Sequence, residues 1–459
     1  MELNPHKIYQ DYTDRTIEKI SAINELVLLI ENSSKLSVRL ESIKILEEII
    51  KSGNNSLSIE EKIFNLFEDL LISDSNEKIR TAATHFISKF FGSQALSPLK
   101  WALQYDDSLI SLEPIFNTLV KIVNNLKRTS NRESRSILLE QVNQIKEPEF
   151  KLCFEIILEK TGINILSDAE IADILLNFYS LIFLKKMFWR LKYSLDSCRI
   201  TELDFIFKGL TKLPLALKHL TFLKRLTLRY NQITELPNWI GNLKNLEYLN
   251  LNVNNLNILS PSIGSIHTLK EVLLWKNELT SIPEEIGSLV NLETLNLRLN
   301  MLSELPYSIG NLSNLKELNL HDNKLTILPD SITNLASLEI LNLSWNLIER
   351  LPDDLGYLSN LQVLDLERNE LTRLPSSITR LNSLEILNLG DNKLEAIPTS
   401  INLLQNLRVL NLSRNEIQVL PKSLGDLKRL EEIYLGDNKF NEIPSFLTSL
   451  EEDGVRIYF

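Results

Sequence analysis

The sequence predicts an all-α helical array followed by an α/β solenoid whose parallel sheet lines a concave face. Three observations predict this architecture. Leucines recur every 23 residues from Leu223 onward without slippage. Before residue 195 the apolar residues recur at helical spacing instead, and no Gly/Ser/Pro-rich linker marks the junction. We therefore divide the chain into a helical domain, residues 1–195, and a repeat domain, residues 196–459.

The repeat has the pattern L-x-x-L-x-L-x-x-N-x-L and occurs ten times in register. In the first copy Leu226 and Leu228 alternate with Thr227 and Arg229, which is typical of a strand with its leucines on the inner side. One copy cannot bury its leucines alone, so neighbouring coils must stack. The copies open at Leu223, Leu246, Leu269, Leu292, Leu315, Leu338, Leu361, Leu384, Leu407 and Leu430.

The ninth place of every copy is asparagine. A buried side-chain amide at this place can hydrogen-bond the unpaired turn backbone of its own coil and of the adjacent coil. In stacked coils these amides would form an internal ladder. We predict this structural role for Asn231, Asn254, Asn277, Asn300, Asn323, Asn346, Asn369, Asn392, Asn415 and Asn438.

The return path of each coil begins at a Leu-Pro pair such as Leu236-Pro237, where proline presets φ and needs no donor. Ile240 and Leu243 point inward again, and Gly241 is expected to allow a tight turn. The departures from this pattern are few. Ser260 replaces the proline once, and the turn glycine is replaced by Thr333, Thr379 and Asn402.

With these residues, segment 223–444 resembles the leucine-rich repeat superfamily in its 23-residue L-P-x-x-I-G-x-L subtype. That subtype is similar to the Ras-suppressor proteins and to the plant intracellular Ras-group-related proteins. The resemblance implies a protein-binding scaffold, with a Ras-like GTPase or one of its regulators as the partner.

The first part of the chain is predicted to consist of paired helices. The segment Asp74–Ala83 resembles the HEAT repeat signature D-x-x-x-x-[VI]-R-x-x-A, and Val38-Arg39 is its counterpart 41 residues upstream. We expect a HEAT-like array of four or five helix pairs, and an irregular helical bundle is the alternative. The first two pairs are predicted over residues 17–30 with 38–49, and 58–72 with 77–91.

The junction should contain one degenerate coil. Counting back 23 residues from Leu223 gives Ile200, which opens a strand-like segment, and Lys208 occupies the asparagine place. A helix around residues 167–193 precedes this coil, so we expect the helical domain to cap the repeats. No strand of a sheet is expected before residue 195. Residues 455–459 should add a short final strand.

Composition narrows the class of protein. The chain has 459 residues, and its 60 acidic against 49 basic residues give a net charge of −11, which argues against general nucleic-acid binding. Two isolated cysteines, Cys153 and Cys198, favour a reducing compartment. The polar first residues do not resemble a signal peptide, and the longest apolar stretch, 175–184, is too short to cross a membrane. We expect a cytoplasmic monomer.

Sites for chemistry are sparse, so we predict that the chain is not an enzyme and holds no cofactor or metal. The five histidines form no metal-binding spacing, and the phosphate-loop, nucleophile-elbow and kinase motifs are absent from the sequence. Cys198 is a candidate nucleophile, but a buried structural thiol explains it better. The basic-aromatic run from Lys185 to Tyr193 could suggest a membrane-binding or calmodulin-type helix, although a capping helix with one wet face explains the same residues.

Function should lie on the concave face, where the third, fifth and seventh places point outward and the eighth lies at the rim. The seventh and eighth places carry Trp, Tyr and Arg in the first six copies, and these residue types dominate binding hot spots. The face is more basic in its N-terminal half and more acidic in its C-terminal half. We predict that a partner protein binds Arg229, Tyr230, Trp275, Lys276, Arg298, His321, Trp345 and Arg368.

The preferred function is therefore a non-catalytic protein-interaction scaffold. Two alternatives belong to other classes. The chain could be an adaptor that presents substrates to an enzyme complex, or it could be a structural, oligomerising repeat protein.

Overall fold

The structure, a computed structural model, describes residues 4–52, 55–161, 166–440 and 442–459. The chain divides into two compact units. The helical unit comprises Met1–Leu191 with Leu195–Arg199, and the repeat unit comprises Lys192–Ser194 with Ile200–Phe459.

The helical unit contains ten α-helices in its described residues. Each helix of a pair buries one apolar face, as α2 does with Ile23, Leu26 and Ile30. In order they are α1 (Pro5–Thr13), α2 (Lys19–Asn32), α3 (Leu36–Lys51), α4 (Leu57–Ser73), α5 (Glu77–Phe90), α6 (Leu96–Tyr105), α7 (Leu109–Thr129), α8 (Arg132–Asn143), α9 (Pro148–Thr161) and α10 (Asp168–Met187). The predicted helical array is confirmed, because α2 packs against α3 and α4 against α5.

Two predictions at the end of this array are wrong. Helix α10 ends at Met187 rather than near residue 193, because Phe188 is extended and Arg190 has a left-handed φ of 53°. A strand, β1 (Lys192–Asp196), then begins before residue 195, and it belongs to the sheet. Alternate residues of this strand are exposed, a period-2 pattern that the helical interpretation overlooked. Trp189, expected within the helix, lies beyond it with its side chain 75% exposed.

Partly buried ion pairs connect successive helix pairs. The Arg80 guanidinium donates to both carboxylate oxygens of Asp106, at 2.8 and 2.9 Å, and also to the carbonyl oxygen of Asp74 at 2.8 Å. Arg39, one pair earlier, donates to the Asp74 carboxylate. Burial disfavours ionisation of Asp106, but hydrogen bonds from Arg80, Ser111 and the Ser108 amide outweigh it and lower the pKa of this carboxyl. These arginine–aspartate pairs therefore connect each helix pair to the next.

Asp106→Ala should lower the free energy of unfolding of the chain by about 3 kcal/mol, because it leaves the Arg80 charge buried without its carboxylate. Asp107→Ala is the matched control: its side chain is 92% exposed, so removing its surface ion pair with Lys186 should change the free energy by less than about 1 kcal/mol. Chemical denaturation at neutral pH measures both. The lowered pKa makes the Asp106 contribution present above the unfolded-state pKa, and it is lost as pH falls through the folded pKa. Equal stability of the two variants would show that the pair does not stabilise the array.

The repeat unit is built on a sheet in which each strand from β2 to β12 pairs in parallel with the strand that follows it. Within β3 to β12, each residue lies beside the residue 23 positions away in the neighbouring strand. The leucines of the first, fourth and sixth places lie in the core, where Leu223, Leu226 and Leu228 are fully buried. The strands are β2 (Arg199–Asp204), β3 (Arg225–Thr227), β4 (Tyr248–Asn250), β5 (Glu271–Leu273), β6 (Thr294–Asn296), β7 (Glu317–Asn319), β8 (Ile340–Asn342), β9 (Val363–Asp365), β10 (Ile386–Asn388), β11 (Val409–Asn411), β12 (Glu432–Tyr434) and β13 (Arg456–Tyr458).

The opposite side of each coil is a short 3₁₀ turn, such as Asn238–Asn242. Helix α11 (Phe446–Glu452) takes this place after the last full coil. No helix among the described residues is long and apolar enough to cross a membrane.

The turn glycines are needed for a different reason from the one predicted. A Cβ on Gly241 would lie 2.6 Å from the Ser262 carbonyl oxygen of the next coil, and left-handed φ values occur at other glycines. Close approach of the coils therefore excludes a side chain there. Where Thr333 and Thr379 replace glycine, the following coil has a three-residue 3₁₀ turn instead of five, Leu355–Tyr357 and Ile401–Leu403.

The ninth-place asparagines make the same hydrogen bonds in coil after coil. Asn323 Nδ2 donates to the carbonyl oxygens of Leu320 in its own coil and Leu297 in the preceding coil, both at 3.0 Å. Its Oδ1 accepts the Leu302 amide at 3.0 Å. Asn346 repeats this set one coil later. Each amide thus joins two coils at a point where no strand pairing satisfies the backbone.

Asn323→Leu or Asn346→Leu should each lower the free energy of unfolding by roughly 1–3 kcal/mol, because buried backbone groups lose their partner. Asn334→Leu is the control, since Asn334 is an exposed residue of a 3₁₀ turn. Thermal or chemical denaturation gives the comparison. A melting temperature unchanged by both ninth-place substitutions would contradict the stabilising role.

Candidate partner-binding surface

The exposed face of the sheet carries the outward side chains of each coil. After the strand, the eighth place of all ten copies adopts the left-handed backbone conformation, with φ between 53° and 58°. This conformation costs a residue with a side chain roughly 1–2 kcal/mol. The strand itself ends at the fifth place, so this left-handed residue lies in the turn that follows the strand. Those residues are Tyr230, Val253, Lys276, Leu299, Asp322, Trp345, Arg368, Asp391, Arg414 and Asp437.

The N-terminal end of this face holds one aromatic cluster. The Tyr230 ring stacks on Phe207 with 4.5 Å between centroids and 7° between planes. The Arg229 guanidinium lies 4.5 Å from the Tyr230 centroid and donates to its hydroxyl oxygen at 2.9 Å. Phe207 is 71% exposed. These three side chains form a continuous cation–aromatic surface.

A second cluster surrounds Trp345, which is 45% exposed. The Arg368 guanidinium lies 3.9 Å from the Trp345 centroid, and its Nε donates to the Asp391 carboxylate at 3.0 Å. The His321 ring lies 6.0 Å from the indole ring on the other side. His321 Nδ1 is 2.8 Å from Ser344 Oγ. Trp345 is therefore held between two side chains and still presents much of its indole ring.

Trp275, Lys276 and Arg298 lie between the two clusters. Trp275 is half-buried, and its indole N–H has no hydrogen-bond partner among the described residues. The Nε of Arg229 likewise lacks one in the described chain. Lys276 and Arg298 are exposed. The structure thus brings Arg229 and Tyr230 together, and His321, Trp345 and Arg368 together, on one face. With strands about 4.8 Å apart, the two clusters lie roughly 24 Å from each other.

The electrostatics of the face change along the sheet. Burial, and then the charge of Arg298, lower the pKa of His321, so this imidazole is neutral at pH 7. Burial raises the pKa of Asp365, which lies near Glu367 and His321. Arg225 at the N-terminal end stacks 3.9 Å from the Tyr248 centroid. Basic side chains therefore lie near the Tyr230 cluster, and carboxylates lie on the C-terminal side of the Trp345 cluster.

Two features of this face were missed from the sequence. Phe207 lies at the eighth place of the degenerate coil, and extending the 23-residue register by one copy would have found it. The fifth-place asparagines have a local role. Asn319 Oδ1 accepts the His321 amide at 3.1 Å, and Asn342 Oδ1 accepts the Ser344 amide at 3.0 Å. These bonds fix the backbone from which the seventh-place side chains project.

The candidate for chemistry in the helical unit is a poor nucleophile. Cys198 is fully buried, and its thiol lies 3.6 Å from the Phe150 carbonyl oxygen. Burial, and then the neighbouring Cys153, raise the pKa of Cys198 to about 12, so its thiolate is scarce at neutral pH. No group of His, Cys, Asp or Glu side chains in the described segments could hold a metal ion.

Comparisons with known proteins find leucine-rich repeats in the repeat unit. Models described as a leucine-rich repeat region match residues 254–346, and models described as a leucine-rich repeat match 222–243, 346–394 and 382–440. A solved leucine-rich repeat protein of Leptospira interrogans is 35% identical, with a TM-score of 0.52, over 55% of this chain and 63% of that chain. A solved TDR receptor is 25% identical, with a TM-score of 0.53, over 62% of this chain and 49% of that chain. A search of curated proteins gave no match.

The repeat unit is therefore a leucine-rich repeat solenoid, a class of fold that generally binds proteins on an extended surface. The chain spans less than two thirds of the length of the two solved proteins described here. No enzyme family is indicated by these matches.

Proposed function

We propose that the chain is a non-catalytic scaffold that binds a partner protein on the exposed sheet face of its leucine-rich repeats. The observation that carries this proposal is the presence of aromatic and basic side chains at the eighth place, where every copy adopts the left-handed backbone conformation. Tyr230 and Trp345 occupy positions where glycine or asparagine would cost less, and their rings lie on the surface. Strained positions that carry exposed aromatic residues favour a role in recognition over a role in the core.

The contacts within each cluster support the same proposal. Trp345 is held by His321 and Arg368, so little conformational freedom remains to be lost when a partner covers it. The ten full coils span about 45–50 Å, which suits a globular domain better than a small metabolite.

The subtype resemblance adds a partner class. A Ras-like GTPase or one of its regulators is the first partner to test, in a cytoplasmic setting. Its binding surface should present acidic groups toward Arg229, Lys276 and Arg298, because these cations lie at the N-terminal half of the face.

Trp275→Ala together with Trp345→Ala should weaken partner binding by at least about 2 kcal/mol, or roughly 30-fold in Kd, because the pair removes two aromatic anchors. A pull-down from cytosol with the full chain identifies the partner, and titration of that purified partner gives the affinity. The fold should remain, since both side chains lie outside the leucine core.

Tyr307→Ala with Tyr357→Ala is the matched control. These tyrosines are 68% and 60% exposed and belong to 3₁₀ turns away from the sheet. The control should bind with wild-type affinity. If the tryptophan variant also keeps wild-type affinity for every partner, the binding site lies away from the two aromatic clusters, and the proposed location is wrong.

A further inference from the structure

An aliphatic stripe crosses the C-terminal half of the sheet face. It consists of Ile340, Val363, Ile386 and Val409, the third-place residues of four consecutive strands. Strand pairing places each beside the next, Ile340 by Val363, Val363 by Ile386 and Ile386 by Val409. Ile340 and Ile386 are 39% and 37% exposed. Four adjacent aliphatic side chains on an exposed face form an apolar surface that a partner can cover.

Other copies show that the strand does not require aliphatic residues at this place. Arg225, Tyr248, Glu271, Thr294 and Glu317 occupy it in the first five copies, with the same backbone pairing. The seventh places of the same coils, four residues further along the chain, include the small residues Ser344, Gly390 and Ser413. The stripe is therefore a local property of this part of the face.

Charge around the stripe is acidic. Glu317 occupies the third place of the preceding strand, and Glu339 directly precedes Ile340 in the chain. Asp365 and Glu367 occupy the fifth and seventh places of the coil that contains β9. The nearby basic side chains are already in ion pairs, Lys316 with Glu293, Arg368 with Asp391 and Arg408 with Glu385. A cationic partner segment would therefore meet carboxylates that these bases do not neutralise.

The geometry selects a helix as the occupant. The backbone hydrogen bonds of β8 to β11 are used within the sheet, so an added strand cannot pair with them. Successive strands are about 4.8 Å apart, close to the roughly 5.4 Å rise of one helical turn. Apolar side chains one turn apart on a crossing helix would meet successive members of the stripe, whereas alternate residues of an extended chain are roughly 6.6 Å apart.

We propose that the stripe Ile340–Val363–Ile386–Val409 is a docking surface for an amphipathic helix of a partner protein, with an aliphatic row flanked by lysine and arginine. This inference rests on the proposed function, because it takes the sheet face as the binding face. It adds the chemistry of one partner segment and a second location, separate from the aromatic clusters.

The test selects peptides on the full chain from a displayed library of random peptides about 16 residues long, enough for three turns with ends. Affinities of the selected peptides are then measured by fluorescence anisotropy. Selected sequences should combine aliphatic residues at helical spacing with lysine or arginine. Ile340→Thr with Ile386→Thr should weaken their binding at least about tenfold while keeping the β-branched shape of the side chains.

Ile258→Thr with Ile327→Thr is the control, because these isoleucines are 56% and 49% exposed but lie outside the sheet strands. It should leave the affinity unchanged, and melting curves check that all variants fold. The docking proposal for the stripe is wrong if no peptide is selected or if the selected peptides are acidic. It is also wrong if the Ile340/Ile386 variant binds the selected peptides with unchanged affinity.

The two proposals fail in different ways. If selected peptides lose affinity for the Trp275/Trp345 variant and keep it for the Ile340/Ile386 variant, the stripe is wrong and the aromatic site stands. If the cytosolic partner keeps its affinity for the tryptophan variant and loses it for the isoleucine variant, the aromatic location is wrong and the stripe stands.

Discussion

The hydrogen bonds of the ninth-place asparagines are the interaction on which the repeat unit depends. Leucine burial drives the coils together, but it is not directional and does not fix where one coil lies on the next. Each asparagine bonds carbonyl oxygens in two coils and accepts an amide of the preceding coil, as Asn346 does with Leu343, Leu320 and Leu325. These bonds are directional, so the stacking distance and the register repeat together.

The binding face follows from that register. Because every coil has the same left-handed backbone at the eighth place, one substitution there changes one surface position and leaves the coil intact. Trp345 and Arg368, in neighbouring coils, can therefore meet at 3.9 Å although 23 residues separate them. Ile340 and Ile386 join the aliphatic stripe for the same reason. The solenoid allows a surface to vary along its length while the core stays constant.

The sequence was enough to predict the strands of the ten regular repeats, the inward leucines and the first two helix pairs, because periodicity reports directly on burial. It did not predict β1. It was insufficient where tertiary contacts decide the outcome. The role of Gly241 comes from the approach of Ser262 in the next coil, and the end of α10 from the backbone at Phe188 and Arg190. The stacking of Phe207 on Tyr230 joins a degenerate copy to a regular one, and no single repeat shows it.

The central claim is that a partner covers the sheet face, and the five tryptophans of the chain can test it. Trp275 and Trp345 lie on that face, Trp239 on a 3₁₀ turn, and Trp101 and Trp189 in the helical unit. Hydroxyl-radical oxidation of each tryptophan, measured by mass spectrometry with and without the purified partner, reports which surface becomes covered. We predict that oxidation falls at Trp275 and Trp345 and is unchanged at the other three. Protection of Trp239, Trp101 or Trp189 with no change at Trp275 and Trp345 would contradict the account.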